Sequence, residues 1–416
     1  MTESELREEI NHLPAPLRAQ LESAGFDRDA LIALAAPLFA RARGDATATG
    51  EERNRVRGEV EPPRAGDIKE APVPGSATHE RLAAAGLEIL RRGELAFCVM
   101  AGGMATRMGG VVKALVDALD GQTFLDLRLR ENRTWSERTG FPIPLWLMTS
   151  DATDAPIRDA LARRGAPPHV AAFKQGLGLR LTKEGRLFRG DDGEPSTYAP
   201  GHGDLPDALR RSGLLSSFVA RGGRYVWIAN LDNLGATIDE ALLGHHLEQG
   251  RDVQVEVTAK VAEDRGGIPV WADASEDGGH VPGSTMPRQS RGHGVVRRLQ
   301  VLEEFRLPRG FDANAVRVFN TNTFLVNANA LLHTRVHYTW FEVEKKVGTR
   351  TAVQFERLLQ ELTGAMEATY VRVPREGDVS RFLPVKDFDE LQRRKGQVQA
   401  VAKSRGMLRP LETESR

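Results

Sequence analysis

Residues 95–109 read LAFCVMAGGMATRMG. Leu95–Met100 is apolar at every position and short, which marks a strand buried on both faces. Gly102 and Gly103 follow at once. Paired glycines let neighbouring backbone N–H groups point at one spot, as an anion nest does. Arg107 and Lys113 add two cations close by, and the whole suits a polyphosphate better than a bare strand-to-helix turn. The loop is not a Walker A sequence, because Gly-Lys-Ser/Thr is missing. Nor is it the dinucleotide fingerprint, since the third glycine is out of place and no acidic residue ends a strand about 20 residues on.

Outward from this point, strand-like and helix-like stretches alternate. Pro144–Ser150 (PLWLMTS) is a second buried strand, followed by a helical pattern to about Arg164. Val170–Phe173 and Tyr225–Asn230 read as further strands, with a helical stretch over Leu205–Arg221 between them. Val253–Val261 alternates polar and apolar residues, as a half-exposed strand would. Val316–Val326 holds a strand pair or one long strand, Arg350–Leu362 reads as a helix, Thr369–Val373 as a strand and Phe388–Lys403 as an exposed helix. Such an order predicts a mostly parallel sheet covered on both faces, with ligands beyond the carboxyl ends of its strands. Upstream, Leu6, Ile10, Leu13, Leu17 and Leu21 recur at helical spacing, and Leu31, Leu34, Leu38 and Phe39 continue the pattern. Residues 44–78 hold Gly, Thr, Pro and charge with few large apolar side chains, which is linker chemistry. Residues 79–92 are again an amphipathic helix.

The chain has 416 residues, 40% of them hydrophobic. That length allows two or three domains, or one large α/β core with additions. Lys and Arg number 57 and so do Asp and Glu. The balance argues against a broad nucleic-acid or membrane-surface binder, which needs a basic excess, so a few local cations must hold any anionic substrate. Cys98 is the sole cysteine; it permits no intrachain disulfide and reads as a small core residue. The first residues have neither a basic n-region nor an apolar h-region, and no apolar run reaches the roughly 18–20 residues of a membrane span. The expectation is a cytoplasmic protein.

Several blocks, taken in order, resemble the eukaryotic-type UTP:sugar-1-phosphate uridylyltransferases, the family of UDP-glucose, UDP-N-acetylhexosamine and UDP-sugar pyrophosphorylases. Met100–Gly109 with Lys113 resembles its glycine-rich signature, with Ala105 in place of the third glycine and Val112 in place of a proline. Leu147-Met148-Thr149-Ser150, Phe173-Lys174-Gln175, Ala199-Pro200-Gly201-His202-Gly203-Asp204 and Asn230-Leu231-Asp232-Asn233-Leu234-Gly235 match further blocks. So do Gly266-Gly267, Phe319-Asn320-Thr321-Asn322 and Arg381-Phe382-Leu383-Pro384-Val385-Lys386. The resemblance implies a Rossmann-like nucleotidyltransferase fold, α/β with a mixed, mostly parallel central sheet plus N-terminal helices. It divides the chain into an N-terminal helical segment (1–43), a linker (44–78), a catalytic domain (79–386) and a C-terminal helical tail (387–416).

The same resemblance implies roles. Ala101, Gly102, Gly103, Gln175 and Gly201 would bind the nucleotide, with the Gln175 amide facing uracil. His202, Asn230, Gly267, Glu303 and Asn322 would bind the sugar phosphate. Arg107, Lys113 and Lys386 would be the catalytic cations, and Asp232 would hold Mg2+. The substrates implied are UTP and a sugar 1-phosphate, with glucose 1-phosphate favoured by the Gly201-His202-Gly203 form. N-acetylhexosamine 1-phosphate, or a broad range of sugars, is the alternative. A non-catalytic nucleotide-sugar-binding subunit and a glycosyltransferase are the rivals of other classes. The chain ends soon after Lys386. That leaves little room for the C-terminal β-helix of many members, so a monomer or weak oligomer is expected.

Overall fold

The computed structural model describes residues 2–105, 108–273 and 297–408. Its centre is an eight-stranded sheet. The strands, β1–β8 in chain order, are Ile68–Glu70, Leu95–Met100, Leu145–Thr149, Val170–Lys174, Tyr225–Asn230, Val253–Ala259, Val318–Asn327 and Ala368–Arg372. Their spatial order is β1-β8-β6-β7-β5-β2-β3-β4. Only β7 runs antiparallel to its neighbours. From β2 the chain moves outward through β3 and β4, then returns to place β5 on the other side of β2. This reversal opens a crevice at the carboxyl ends of β2 and β5, where open α/β sheets bind ligands.

Period-two alternation sorts the strand residues between two cores. Phe97, Val99, Trp227 and Ala229 enter one, with the helices Ala77–Arg91, Phe124–Thr139 and Phe388–Ser404. Ala96, Cys98, Val226 and Ile228 enter the other, over the helices Leu205–Arg211 and Leu214–Ala220 and the hairpin of Gly267–Asp273 with Arg297–Glu303. Cys98 is wholly buried, and burial pushes its thiol pKa far up, so it is an inert core residue. The N-terminal helices Glu3–Asn11, Ala15–Ser23 and Arg28–Arg43 form a third cluster with Leu177–Leu187 and with Val353 and Phe355. Among the described residues, no helix is long and apolar enough to cross a membrane.

Four readings change. The β6 strand is not half exposed: it lies between β8 and β7, and its polar members Gln254, Glu256 and Thr258 are buried. Each has partners inside. Gln254 bonds His245 and the Leu242 carbonyl, Glu256 pairs with Arg381 at 2.6 Å, and Thr258 donates to the Val373 carbonyl. Arg350–Leu362 is mainly a strand, Arg350–Glu356, paired with Phe341–Val347 and then short turns; cross-strand pairing wins over its weak helical pattern. The last helix, Phe388–Ser404, is not merely exposed, since Leu391, Val398, Val401 and Ala402 enter the core.

The stretch 44–78, expected to be a linker, is fastened along its length. It contributes the helix Gly50–Asn54 and the edge strand β1. Arg53 pairs with Glu342, Val56 donates to the Arg306 carbonyl, and Glu61 exchanges two backbone bonds with Trp271. These ties are backbone and ionic, so apolar content does not report them.

Candidate active site

The glycine-rich turn leaves β2 at the crevice. It runs into a hairpin of Met104–Ala105 with Val111–Val112, not into a helix. Thr106 and Arg107 lie outside the described residues, so the predicted cation at Arg107 has no described position. Neither Gly102 nor Gly103 is among the described glycines with positive φ, so an αL nest is not the reason for the pair. Space is the reason at Gly102: a Cβ there would come 2.6 Å from the Gln175 amide nitrogen.

Gln175 follows β4, and its backbone N–H donates to the Thr149 carbonyl at 2.9 Å. It is 7% exposed. Asn230 ends β5, and Asp232 follows on a tight turn closed by backbone bonds from Asn233 to Asn230 and from Ala236 to Asn233. Lys113 Nζ meets Asp232 Oδ2 at 2.5 Å across the crevice, each side chain 18% exposed.

Gly201 and His202 close the crevice from the far side. Gly201 has φ +88°, and a Cβ there would strike the Arg357 carbonyl at 2.6 Å. The glycine therefore lets two loops meet. Arg357 donates to the Pro200 carbonyl, Gly203 donates to the Arg357 carbonyl, and Leu359 donates to His202 Nδ1 at 3.0 Å. An accepting Nδ1 on a neutral ring places the proton on Nε2. Burial pushes the His202 pKa down to about 4, so near pH 7 the imidazole is neutral. Ala101, Gly102, Gly103, Lys113, Gln175, Gly201, His202, Asn230 and Asp232 all line this one cavity, about 360 Å³ in volume.

A second group adjoins it through Asn230, whose Oδ1 accepts from Asn322 Nδ2 at 3.1 Å. Opposite Glu256 and Val257 the register of β7 shifts, leaving Thr321 and Asn322 unpaired in a bulge. Asn322 sits at φ 57°, rare for a residue other than glycine. Bulges of this kind re-aim side chains beside functional sites. Its amide Oδ1 is buried without a protein partner. Gly267 pairs with Glu303 across the hairpin, and a Cβ on Gly267 would lie 3.4 Å from Asn320 Nδ2 and 3.5 Å from Glu303 Oε1. Burial lifts the Glu303 pKa to about 7, against a lowering bond from Gln360 Nε2 at 2.5 Å. Gln360 and Asn320 were not singled out from sequence. Neutral amides in a turn and a strand carry no signal until the fold joins them.

Lys386 does not line the cavity. It is exposed, and its backbone N–H donates to Glu390 at 2.8 Å. Its segment is nevertheless tied to the turn that carries Asp232. Asn233 bridges Pro384, accepts from Leu383 N–H at 2.7 Å and donates to the Arg381 carbonyl at 3.1 Å. Arg381 is structural: it is buried against Glu256 and the Thr237 carbonyl.

No three His, Cys, Asp or Glu side chains gather into a metal cage among the described residues. A single carboxylate at the crevice suits Mg2+, which takes one or two carboxylates and completes its octahedron with phosphate oxygens and water. The donor set therefore fits a metal delivered with a nucleotide.

A mostly parallel sheet with this crevice defines a nucleotidyltransferase-like α/β protein, and solved structures share the fold. The UDP-glucose phosphorylase of Trypanosoma brucei superposes with a TM-score of 0.67 at 22% identity, over 90% of this chain and 76% of that one. The uridine diphosphate N-acetylglucosamine pyrophosphorylase of Trypanosoma brucei, in complex with an inhibitor, gives 0.68 at 20% identity, over 94% and 81%.

The family model for UTP--glucose-1-phosphate uridylyltransferase matches residues 55–279, more than half of the chain, and the chain belongs to that family. The UTP--glucose-1-phosphate uridylyltransferase of Saccharomyces cerevisiae is 31% identical over 321 residues, which is 72% of this chain and 58% of the yeast protein. That of Hordeum vulgare is 29% identical over 308 residues, 70% and 59% of the two chains. The chain thus spans less than two thirds of the length of these relatives.

Proposed function

We propose that this chain joins UTP to a sugar 1-phosphate, releasing pyrophosphate, with glucose 1-phosphate as the preferred sugar and Mg2+ as the metal. One observation carries the reading: Gly102, Gly103 and Gln175 on one flank face Asn230 and Asp232 on the other, across the switch-point crevice of a sheet whose family uses UTP. A sugar phosphate oxygen attacks the α-phosphorus of UTP in line, and the bond to the β,γ-pyrophosphate breaks. The nucleophile is already an anion, so no strong base is needed. Catalysis rests on positioning and charge neutralisation. Asp232 would hold the metal, which would supply positive charge against the phosphate oxygens. Lys113, paired with Asp232 in the free protein, would turn to the phosphates when the nucleotide binds. His202 offers its neutral Nε2–H as a donor, and Gln175 offers a donor and an acceptor to uracil. Lys386 reaches the phosphates from the edge of the site.

The test is incubation with UTP, Mg2+ and a panel of sugar 1-phosphates, with pyrophosphate as readout. Pyrophosphate release with glucose 1-phosphate, at higher kcat/KM than with N-acetylglucosamine 1-phosphate, is expected. UDP-sugar binding without pyrophosphate would replace this reading with a binding subunit. Equal or reversed kcat/KM values would overturn the sugar preference alone.

A further inference from the structure

The turn that carries Asp232 is held from behind by an arginine that does not line the crevice. Arg128 lies on the helix Phe124–Thr139 and is 0% exposed. Its guanidinium stacks over the Phe97 ring of β2 at 5.5 Å. Nη1 donates to the Ala236 carbonyl at 3.0 Å and to Glu131, itself 0% exposed, at 2.8 Å. Nη2 donates to the Asn230 carbonyl at 3.2 Å and to the Asn233 carbonyl at 2.5 Å.

One nitrogen therefore bridges the residues on either side of Leu231 and Asp232. The path between two pinned carbonyls sets how far the Asp232 carboxylate projects into the crevice. Pinning the Asn230 carbonyl also orients the Asn230 side chain toward Asn322. A lysine could not reproduce this, because a compact ammonium lacks the planar fork of donors. Here the carbonyls of the turn take the two terminal nitrogens, while Nε is buried without a partner.

We infer that Arg128 is a positioning residue for the metal and sugar contacts, acting through the backbone of residues 230–236. This rests on the proposed uridylyltransferase reading, and the experiment separates the two. Groups that orient metal ligands from behind typically change metal affinity or activity by about 10–100-fold when replaced. Arg128→Lys is expected to raise the Mg2+ concentration for half-maximal activity, and to lower kcat, by at least about tenfold. The KM for UTP should stay within about twofold, because Gln175 and Gly102 hang from other strands. Titration of the wild-type and variant proteins with Mn2+ in the presence of UTP, followed by electron paramagnetic resonance, should show the same loss of metal affinity without turnover.

Leu38→Ala, in the N-terminal cluster, is the control for lost stability and should leave the metal curves unchanged. Should Arg128→Lys not fold, the double change Arg128→Met with Glu131→Leu removes both buried charges together, a replacement that folded proteins often tolerate, and should show the same metal shift. Unshifted Mg2+ and Mn2+ curves in a folded variant, or a shift equal to that of Leu38→Ala, would overturn the inference. Absence of pyrophosphate release by the wild-type protein would instead overturn the uridylyltransferase reading.

Discussion

The turn leaving β2 and the turn leaving β5 face each other across one crevice but are held by different means. The first continues into the Met104–Val112 hairpin, whose described residues bond mainly to one another, through Gly110 to Ala105 and Lys113 to Gly103. Among the described residues, its charged tie across the crevice is Lys113 to Asp232. The second is fastened from three sides: by Arg128 to the Asn230, Asn233 and Ala236 carbonyls, by the Asn233 amide to residues 381 and 383, and by β7 through Asn322. The contrast teaches a division of labour. On the function proposed above, a residue that holds a metal is fixed before the substrate arrives, whereas a phosphate-binding loop gains by closing on it.

The comparison breaks first at Asp232. Asp232→Asn keeps the turn but removes the charge, and pyrophosphate formation should fall by about 10²–10³-fold, on the scale of losing one preorganised electrostatic contact. Wild-type rates with an unchanged Mg2+ titration would remove Asp232 from the metal site.

Lys113→Ala tests the opposite bank. Its loss should lower kcat by about 10²-fold, again one preorganised charge. It should also free Asp232, so Mn2+ binding without nucleotide should become tighter than in the wild-type protein. Weaker nucleotide-free binding would show that the Lys113–Asp232 pair does not guard the carboxylate.

Lys386 is a sharper case, since its side chain stands outside the cavity while its segment is tied to the fixed turn. Lys386→Ala should lower kcat by about tenfold or more and change the KM for UTP less. A rise in KM at constant kcat would make it a binding cation only.

The smallest effect concerns Glu303, whose carboxyl is raised from 4.5 to about 7 by burial. A raised carboxyl is neutral in the folded protein where the unfolded chain is already ionised. Its contribution to stability therefore falls as pH rises from about 4.5 through 7, then levels off. Glu303→Gln should gain Tm relative to the wild-type protein between pH 5 and 8. In the wild-type protein the KM for the sugar phosphate should fall as pH rises through 7, when the carboxylate becomes a full acceptor. The difference between the two proteins isolates Glu303, because the phosphate of the substrate ionises alike in both. Parallel profiles would show that Glu303 does not contact the sugar.

Much of this site was legible because its parts sit at strand ends. Ala101, Gln175, Asn230 and Asp232 each follow an apolar run closely, and an apolar run of strand length declares both its burial and its end. Val253–Val261 misled for the same reason reversed: alternating polarity reports which residues face apart, not whether the second face meets water. Gln254, Glu256 and Thr258 face protein partners that come from distant segments. Residues 44–78 misled because backbone bonds and ion pairs to distant segments hold them, which apolar content does not report.

The sequence by itself determined the mostly parallel sheet, the glycines after its first buried strand and the carboxylate of Asp232, because strand burial and loop chemistry are properties of neighbouring residues. Only the tertiary structure decided that Gly102 yields to Gln175, that Gly201 yields to Arg357, that a bulge aims Asn322, and that Arg128 holds the turn of Asp232. Each of these joins segments far apart in the chain. Their geometry follows from packing and from the need to satisfy buried backbone groups, and no local pattern encodes it.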